Sequence, residues 1–331
     1  MLAEKLRGKK ILFIGVKFYH YHSEIIKKME EYGANPTFFA ERDTSISFGI
    51  VNRLFHNQLD RYQELHYKRI LRKTNSTKFD YLFVIRGYKM PVWFVNTIKE
   101  RNPGIITIMY QWDANANSPF LNLPSKFDIV NEFDKVLSFD FKDVDENPGL
   151  LKYSPTFYTD EISRLKDIKE HNFKYDLFYF GSYLPERYAG LLKIKEYAET
   201  NGLTLKTHFH MPFRYYLMER FKGTKLNKSL LSSNTMNRKM YLQLFSESRV
   251  IVDVSNAKQT GIAMRVLDAL GAGKKVLSTN RWITKEVGID DSQVLIFELN
   301  SMNIPPKFFI EKPVKVHCDY SLDKWLHNIF D

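Results

Sequence analysis

The sequence predicts an α/β protein with two Rossmann-like domains that face a cleft. Short apolar runs rich in β-branched and aromatic residues alternate with helical patterns along the chain, as in sheets joined by crossover helices. Several of these runs are apolar throughout, which is typical of parallel strands buried on both faces. The chain has 331 residues, enough for two domains that each have their own core.

The N-terminal region has a strand–helix–strand pattern. Residues 9–15 and 36–40 are apolar strands, and residues 23–32 between them have helical periodicity. The glycine-rich dinucleotide fingerprint does not follow the first strand, and an aromatic loop that includes Tyr19 and His20 takes its place. In an open α/β sheet this loop lies at the carboxyl edge of the strands, where ligands bind.

Three more buried strands are predicted at residues 79–85, 105–110 and 133–138. The dipeptides that follow them are Arg86-Gly87, Trp112-Asp113 and Phe139-Asp140. Polar side chains delivered to one sheet edge are typical of a ligand site, although a carboxylate such as Asp113 also suits a helix N-cap. The polar stretch 44–78 is predicted to form surface helices.

Two histidine pairs and one Asp-x-Asp triplet have spacings that metal sites use. They are His20/His22, His208/His210 and Asp143-Val144-Asp145. No third or fourth ligand accompanies either histidine pair in the sequence. The triplet belongs to an acidic stretch that favours a solvated loop. The sequence therefore predicts no metal site.

A charged run separates the two predicted domains. Residues 161–174 are the predicted linker, so the N-terminal domain spans residues 1–160 and the C-terminal domain spans residues 175–310. Residues 311–331 are predicted to return to the N-terminal domain through a last amphipathic helix.

Small residues follow the first strand of the second domain. Gly181 and Ser182 end the predicted strand at 175–180, and a helix that begins near Arg187 comes next. This order of strand, small-residue turn and helix favours contact with a phosphate or a nucleotide, and a tight turn without a ligand has the same pattern.

The stretch 248–280 carries the densest group of candidate binding residues, and it reads as strand, loop, helix and strand. Thr260 and Gly261 precede the helix, where backbone N–H groups and the helix dipole favour a diphosphate. Arg265 can bind phosphate oxygens, and Asp268 can accept hydrogen bonds from ribose hydroxyls. The alternative is an ordinary helical ion pair between Arg265 and Asp268 that follows a simple turn.

These motifs resemble those of two-domain glycosyltransferases with the GT-B architecture, in particular bacterial lipopolysaccharide and capsule transferases of the CgeB-like group. The matching residues are Arg86-Gly87, Trp112-Asp113, Phe139-Asp140, Phe180, Gly181, Ser182, Arg187, Tyr188, Gly261, Arg265, Asp268, Gly273, Lys274 and Ser278-Thr279-Asn280. Asp268 stands where the group usually has Glu, and Thr260 stands where many retaining enzymes of this architecture have another Glu. The resemblance therefore leaves retention of the anomeric configuration open.

The resemblance implies transfer of a sugar from a UDP-, GDP- or dTDP-linked donor to a growing cell-surface glycan, such as O-antigen, capsule or exopolysaccharide, without metal or cofactor. The implied donor-binding residues are Gly181, Ser182, Arg187, Thr260, Gly261, Arg265, Asp268 and Asn280. The implied acceptor-binding residues are Tyr19, Arg86 and Trp112. Asp113 is the first candidate for the base that deprotonates the acceptor, and His20 is the second.

Two other functions share this architecture. The first is a catalytically inactive nucleotide-sugar-binding or assembly subunit, since a fold does not determine an activity. The second is a sugar-phosphate epimerase or a phosphorylase, although no cluster of phosphate-handling basic residues identifies a phosphorylase.

The net charge of +11 favours an anionic partner. The basic residues are spread along the chain without a long tract or a nucleic-acid motif, so contact with the inner face of the cytoplasmic membrane is favoured over nucleic acid. The basic aromatic helix predicted at 212–228 suits interdomain packing or a membrane interface, and packing is the favoured prediction. One cysteine, Cys318, excludes an internal disulfide. With no signal-peptide or membrane-spanning pattern, we expect a cytoplasmic protein.

Overall fold

The computed structural model describes residues 2–331 apart from 18, 44, 46–47, 50, 52–53, 115–128, 168–172, 287 and 312–318, so Cys318 lies outside the described residues. The chain forms two compact units. The first unit comprises Met1–Thr156, Lys258–Gly261 and Leu322–Asp331, and the second comprises Phe157–Ala257 and Ile262–Ser321. The chain therefore passes from one unit to the other four times.

The strands are β1 Lys10–Gly15, β2 Asn35–Ala40, β3 Tyr81–Ile85, β4 Ile106–Gln111, β5 Lys135–Ser138, β6 Lys152–Tyr153, β7 Tyr175–Ser182, β8 Leu205–His210, β9 Leu231–Ser232, β10 Ser248–Asp253, β11 Lys275–Ser278 and β12 Val294–Ile296. The helices are α1 Leu2–Leu6, α2 Tyr21–Glu31, α3 Leu59–Lys73, α4 Val92–Arg101, α5 Phe141–Glu146, α6 Asp160–Ser163, α7 Pro185–Thr200, α8 Phe213–Phe221, α9 Arg238–Ser246, α10 Met264–Gly271, α11 Lys307–Ile310 and α12 Leu322–Phe330.

Each unit contains one six-stranded sheet. The strand order is β2-β1-β3-β4-β5-β6 in the first unit and β12-β11-β10-β7-β8-β9 in the second. Neighbouring strands are parallel in both sheets. These sheets confirm the predicted α/β class.

The first sheet forms because its strands are apolar on both faces. All five residues of β3 are buried, and only the first residue of β1 and of β4 is exposed. Helix α12, at the end of the chain, packs on this sheet. Its Trp325 lies 5.0 Å from Tyr110 and 5.9 Å from Phe83 between ring centroids, and it is 2% exposed. The first unit thus includes both ends of the chain.

The core of the second unit joins the central strands to the helices that follow them. It contains Tyr179 of β7, Val252 of β10 and Leu277 of β11, together with Leu191 and Ile194 of α7. All the residues of β11 are buried, as are all of those of β10 except Arg249. Among the residues that the structure describes, no helix is long and apolar enough to span a bilayer.

Three local predictions differ from the structure. Helix α3 is not a surface helix throughout, because Gln63 and Tyr67 on its inner side are fully buried. The acidic stretch at 140–146 is helix α5 and not a solvated loop, because the Asp140 carboxylate accepts hydrogen bonds from the first backbone N–H groups of the helix. Residues 161–167, the first half of the predicted linker, belong to the second unit, and the rest of that linker includes undescribed residues.

Candidate functional site

The strand orders create one switch point in each sheet. In the second unit the order reverses between β7 and β10, because β8 and β9 extend the sheet on one side while β11 and β12 extend it on the other. In the first unit it reverses between β1 and β3 in the same way. Ligands of open parallel sheets bind outside the carboxyl ends of the strands at such points. Most of the candidate side chains lie at these two places.

A buried carboxylate organises the switch point of the second unit. Asp253 is the last residue of β10, and it is 0% exposed. Its Oδ1 accepts a hydrogen bond from Nη1 of Arg265 at 2.8 Å. Its Oδ2 accepts hydrogen bonds from the hydroxyls of Ser255 and Ser278, each at 2.7 Å. Asp253 therefore holds the guanidinium of Arg265 at the end of the strand.

Arg265 also lies against the last residues of β7. Its guanidinium carbon is 5.4 Å from the ring centroid of Phe180 and 5.8 Å from that of Tyr179. A Cβ at position 181 would lie 3.4 Å from Nη2 of Arg265 and 3.2 Å from the Tyr179 hydroxyl oxygen. Glycine at this position therefore leaves room beside the guanidinium.

A second arginine contributes charge to the same place. In the part of the chain that the structure describes, no carboxylate forms an ion pair with Arg187, and its Nε is buried without a hydrogen-bond partner. Burial and the charge of the neighbouring Arg265 lower the pKa of Arg187, while Tyr179 and Asp253 act in the opposite direction. Arg187 and Arg265 are therefore close enough to repel each other.

A tyrosine hydroxyl completes the cluster. Within the described residues, the hydroxyl of Tyr179 is buried and has no hydrogen-bond partner. Burial raises the pKa of Tyr179 against the opposing effect of the two arginines, so the hydroxyl stays protonated and can donate. We refer to Tyr179, Gly181, Arg187, Asp253 and Arg265 as the arginine cluster. It has two guanidiniums and one carboxylate, and both Nε of Arg187 and the hydroxyl of Tyr179 are donors without a partner among the described residues. This excess of positive charge and donors suits an anion.

The switch point of the first unit contains a pocket of about 120 Å³. It opens at the carboxyl ends of β1, β3 and β4 and is lined by Phe13, Val16, Tyr21, His22, Ile25, Ile85, Arg86, Trp112 and Asp113. Most of the lining is apolar or aromatic, with a few polar groups on one side. Such a lining is typical of a small-molecule site.

Arg86 connects the polar groups of this pocket. Its Nη1 donates to Oδ2 of Asp113 at 3.2 Å, and its Nη2 donates to Oε1 of Glu41. The carboxylate of Glu41 is buried, and it also accepts the backbone N–H of Tyr88 at 2.8 Å. Burial opposes the charge of Arg86, but Glu41 and Asp113 together raise its pKa. Arg86 is therefore a permanent cation that holds Asp113 at the pocket.

A histidine lies in the same pocket. In the described part of the chain, Nδ1 of His22 is buried without a hydrogen-bond partner, while its Nε2 is 3.5 Å from the hydroxyl of Ser23. Burial and then the charge of Lys17 lower the pKa of His22, so its imidazole is neutral at pH 7. A neutral imidazole can accept a proton.

Neither a protein-family model nor a curated protein matches this sequence. Solved structures do match over nearly its whole length. An α,α-trehalose-phosphate synthase (UDP-forming) from Burkholderia xenovorans is 11% identical, with 97% of this chain and 98% of that chain covered and a TM-score of 0.61. An α-glucosyltransferase in complex with UDP and DNA is 14% identical, with 98% and 91% covered and a TM-score of 0.56.

A UDP-GlcNAc 2-epimerase from Neisseria meningitidis bound to UDP-GlcNAc is 11% identical, with 97% of this chain and 98% of that chain covered and a TM-score of 0.55. The chain has the GT-B fold. Identities this low carry the fold and no activity, so the predicted pair of Rossmann-like units is confirmed and the function rests on the residues at the switch points.

The GT-B structure brings together part of the predicted donor group. Gly181, Arg187 and Arg265 belong to the arginine cluster, and Ser182 follows at the end of β7 with an exposed position. Arg265 forms its ion pair with Asp253 and not with Asp268, so the alternative of an ordinary helical pair is wrong.

Thr260 and Gly261 are not at a helix start. Their backbone N–H groups donate to Oδ2 of Asp140 at 2.8 and 3.0 Å, and the Thr260 hydroxyl donates to Oδ1 of Asp140 at 2.6 Å. Residues 258–261 group with the first unit, and helix α10 begins only at Met264. A carboxylate of the chain thus occupies the N–H groups that the sequence assigned to a diphosphate, and this prediction is corrected.

Asp268 and Asn280 also differ from their predicted roles. Asp268 is 1% exposed, and its Oδ2 accepts a hydrogen bond from the hydroxyl of Tyr241 at 2.7 Å. Its carboxylate therefore does not face solvent where a ribose could reach it. Asn280 is buried, and its side chain caps the short 3-10 turn by accepting the N–H of Trp282 at 3.0 Å. Both side chains have structural partners inside the second unit.

The predicted acceptor residues separate into two groups. Arg86, Trp112 and Asp113 line the pocket, as described above. Tyr19 and His20 are not among the lining residues. Tyr19 is 61% exposed, and His20 is the residue before α2. The loop therefore contributes its later residue, His22, to the pocket.

Within the described ranges, no three His, Cys, Asp or Glu side chains are grouped closely enough to hold a metal ion. Asp143 is buried in α5, and Nε2 of His208 lies 3.1 Å from the carbonyl oxygen of Asn234. These contacts agree with a structural function for both residues.

Four residues of these sites were missed in the sequence. Asp253 and Glu41 stand at or directly after the carboxyl end of a predicted strand, which is the signal that identified Asp113. Tyr179 was hidden inside an apolar strand. His22 belonged to the predicted aromatic loop and to a candidate metal pair, and it was not proposed as a base. The position after each strand is therefore the informative signal, since it places a side chain at the edge of the sheet.

Proposed function

We propose that the chain is a glycosyltransferase that transfers a sugar from a nucleotide-diphospho-sugar donor. The observation that carries this proposal is the arginine cluster at the switch point of the second unit, where Arg187 has no carboxylate partner among the described residues. A diphosphate supplies the negative charge that this cluster lacks. The UDP and UDP-GlcNAc bound to two of the structures with this fold favour a UDP-linked donor over GDP and dTDP.

In the reaction, the bond between the sugar anomeric carbon and the diphosphate oxygen breaks while the acceptor oxygen bonds to that carbon. Negative charge accumulates on the leaving diphosphate. Arg265 is held in place by Asp253, and donors held in this way stabilise developing charge most because they need no rearrangement. Arg187 and the buried Tyr179 hydroxyl add donors that have no partner among the described residues.

The pocket of the first unit is the proposed acceptor site. Trp112 and Tyr21 offer aromatic faces to a sugar ring, and their own ring centroids are 6.0 Å apart. Asp113 remains the first candidate base, because Arg86 orients its carboxylate and nearly half of its side-chain surface is exposed. His22 replaces His20 as the second candidate, because it lies in the pocket and is neutral at pH 7.

The acceptor is a growing cell-surface glycan of the O-antigen, capsule or exopolysaccharide type. This part of the proposal is supported by the motifs after the strands, which resemble the CgeB-like group, and no metal or cofactor takes part in it. The Asp113 and Arg86 pair suits sugar hydroxyls, since together they offer an acceptor and a donor of hydrogen bonds.

The donor site is tested with Arg187→Met. Arg265 is unsuitable, because its removal would leave the fully buried Asp253 without its cation. We expect the wild type to hydrolyse one sugar nucleotide slowly in a screen of UDP-, GDP- and dTDP-sugars. Arg187→Met should weaken binding of that nucleotide at least about tenfold, as expected for lost hydrogen bonds to a charged group.

The matched control is Arg281→Met, which removes the same charge from an exposed position in the second unit. It should bind the nucleotide like the wild type. Absence of binding to every donor, or equal binding by Arg187→Met and wild type, would contradict the proposed donor site.

The acceptor site is tested with Asp113→Asn. If Asp113 is the base, turnover should fall about 100-fold while affinity for the donor nucleotide is unchanged. If the wild type binds a sugar nucleotide but neither transfers nor hydrolyses its sugar, the protein is an inactive nucleotide-sugar-binding subunit. Recovery of an epimerised sugar nucleotide in place of free nucleotide would identify an epimerase, the activity named for one structure with this fold.

A further inference from the structure

Helix α8 has an inverted distribution of polar and apolar side chains. An ordinary surface helix buries an apolar stripe and exposes its charged residues. In α8 the only buried residue is Glu219, which is 8% exposed. The apolar residues of the helix are instead exposed to solvent, which differs from the interdomain packing that the sequence favoured.

The exposed apolar residues form a stripe. Phe213, Leu217 and Phe221 are four residues apart and thus share one face, and they are 64%, 40% and 88% exposed. Tyr215 and Met218 of the same helix are 56% and 41% exposed. Five of the thirteen large apolar side chains exposed in the described part of the chain therefore lie on one helix of nine residues. A concentration of this kind marks an interaction surface.

The buried glutamate fixes which side faces out. Glu219 accepts hydrogen bonds from the ammonium of Lys222 at 2.9 Å and from the hydroxyl of Thr224 at 3.0 Å. The hydroxyl of Tyr183, just after β7, donates to it at 3.4 Å. Glu219 lies about half a helical turn away from Leu217 and Phe221 on α8. Of the three donors only Tyr183 lies outside the stretch 212–228, so this contact turns the Glu219 side of the helix toward the end of β7 and leaves the opposite, apolar face exposed.

Basic side chains flank the apolar stripe. Arg214 and Arg220 lie on either side of it on α8, and both are exposed. The segment after α8 adds three exposed lysines, Lys222, Lys225 and Lys228. Glu219 is the only acidic residue in the stretch 212–228. The outward surface thus combines apolar side chains with positive charge alone.

We propose that this surface docks the protein on a lipid bilayer that contains anionic lipids. We call it the α8 patch, defined as Phe213, Arg214, Leu217, Arg220 and Phe221. Aromatic and aliphatic side chains that enter the boundary between headgroups and acyl chains, flanked by Arg and Lys, are the composition of helices that lie in the membrane interface. The anionic headgroups supply the negative charge that the patch lacks.

A second copy of the chain fits the patch less well. In a two-fold symmetric contact the same surface meets itself, so Arg214 and Arg220 would oppose their own equivalents. The docking proposal uses neither the arginine cluster nor the pocket of the first unit. It therefore does not depend on the proposed glycosyl transfer.

The test is sedimentation of the full chain with vesicles of phosphatidylcholine, with and without phosphatidylglycerol. We expect binding only with phosphatidylglycerol, and weaker binding as salt is raised. The double variant Phe213→Ser/Phe221→Ser should bind vesicles at least about tenfold more weakly, because in the wild type both rings leave water when the protein binds. Arg214→Gln/Arg220→Gln should lose about fivefold for each charge at low salt.

Two variants are matched controls. Ile310→Ser removes an apolar side chain that is 75% exposed on α11, and Arg281→Gln removes an exposed charge. Both should bind vesicles like the wild type. Lack of binding to any vesicle, or unchanged binding by Phe213→Ser/Phe221→Ser, would overturn the proposal. So would a concentration-dependent dimer that the same double variant abolishes, because a second copy would then cover the patch.

Discussion

At the residue scale, two cations at the switch points depend on named carboxylate partners. Arg265 depends on Asp253 in the second unit, and Arg86 depends on Glu41 and Asp113 in the first. A buried charge that loses its partner destabilises a protein more than the intact pair stabilises it. The free energies of unfolding of single and double variants at these pairs therefore separate two effects. One is the destabilisation from an unpaired buried charge, and the other is the stabilisation that the intact pair contributes.

Arg86→Met should lower the free energy of unfolding by about 3–5 kcal/mol, because it leaves the carboxylate of Glu41 buried without its cation. The double variant Glu41→Gln/Arg86→Met should recover part of this loss. Urea denaturation of the full chain measures both. Arg281→Met, which breaks an exposed pair with Glu298, should change stability by less than about 1 kcal/mol. Equal effects of Arg86→Met and Arg281→Met would show that Glu41 is not a buried charge.

Asp268→Asn tests the buried carboxylate of α10. Burial raises the pKa of Asp268 to about 6, and the hydrogen bond from Tyr241 only partly opposes this. Between about pH 4 and pH 6 the native state therefore holds a proton that the unfolded chain has released, so wild-type stability falls as pH rises through this window. The asparagine variant lacks this loss and should gain about 3 kcal/mol relative to wild type between pH 4 and pH 7.

Urea titrations at several pH values measure this difference. Asp291→Asn, at an exposed position of the same unit, is the control and should follow the wild type at every pH. A constant difference between Asp268→Asn and wild type across the window would mean that Asp268 titrates as an exposed aspartate does.

At the scale of elements, short loops are held by side chains that cap them. Asp140 caps α5 and at the same time binds the backbone of the 258–261 loop. The side chain of Asn280 caps the turn after β11 in a similar way. These carboxylate and amide groups satisfy N–H groups that would otherwise be buried without partners. The backbone N–H groups of both segments therefore have defined side-chain partners.

Gly261→Ala should disrupt the packing of the 258–261 loop against Phe139. A Cβ at this position would lie 2.4 Å from Cδ2 of Phe139 and 2.6 Å from its backbone carbonyl oxygen. The backbone cannot yield as a flexible side chain can, so we expect a loss of stability of about 1–3 kcal/mol. Thermal unfolding of the full chain measures it. Gly49→Ala, where a Cβ would meet nothing within 4 Å, is the control, and a similar midpoint for both variants would contradict the close contact at Gly261.

At the scale of the whole molecule, the path of the chain ties the first unit together from both ends. Leu322–Asp331 belongs to the first unit, although nearly all of the chain between Phe157 and Ser321 belongs to the second. Helix α12 buries five residues there, including Trp325 and Phe330. The first unit therefore completes its core only when the last residues of the chain are in place.

Trp325→Ala should cost about 3–5 kcal/mol, because a large buried ring leaves a cavity between Tyr110 and Phe83. A chain with two units need not unfold in one step. Urea denaturation followed by circular dichroism should therefore show this loss in the transition that reports unfolding of the first unit. Lys324→Ala, on the exposed side of α12, should have little effect. If both variants unfold at the same urea concentration, α12 does not contribute to the core of the first unit.

The local pattern was sufficient for the regular elements and for part of the sites. Strands β1 and β3 differ from the predicted ranges 9–15 and 79–85 by one or two residues at the start, and β10, α10 and β11 follow the predicted order of strand, helix and strand in the stretch 248–280. Arg86, Asp113 and Gly181 were found because they follow apolar strands. The short strands β6, β9 and β12 were missed, since two or three residues carry too little periodicity to identify a strand.

The sequence by itself determined the α/β class, the parallel strands and the polar residues at their carboxyl ends, because these follow from local hydrophobic period and from the residue after each strand. Only the tertiary structure decided which residues pair with one another by ion pairs and hydrogen bonds. It paired Arg265 with Asp253 in place of Asp268, gave the N–H groups of Thr260 and Gly261 to Asp140, and exposed the apolar face of α8. These contacts join residues on different elements, up to 121 positions apart in the chain. They depend on strand order and packing, which no local pattern encodes.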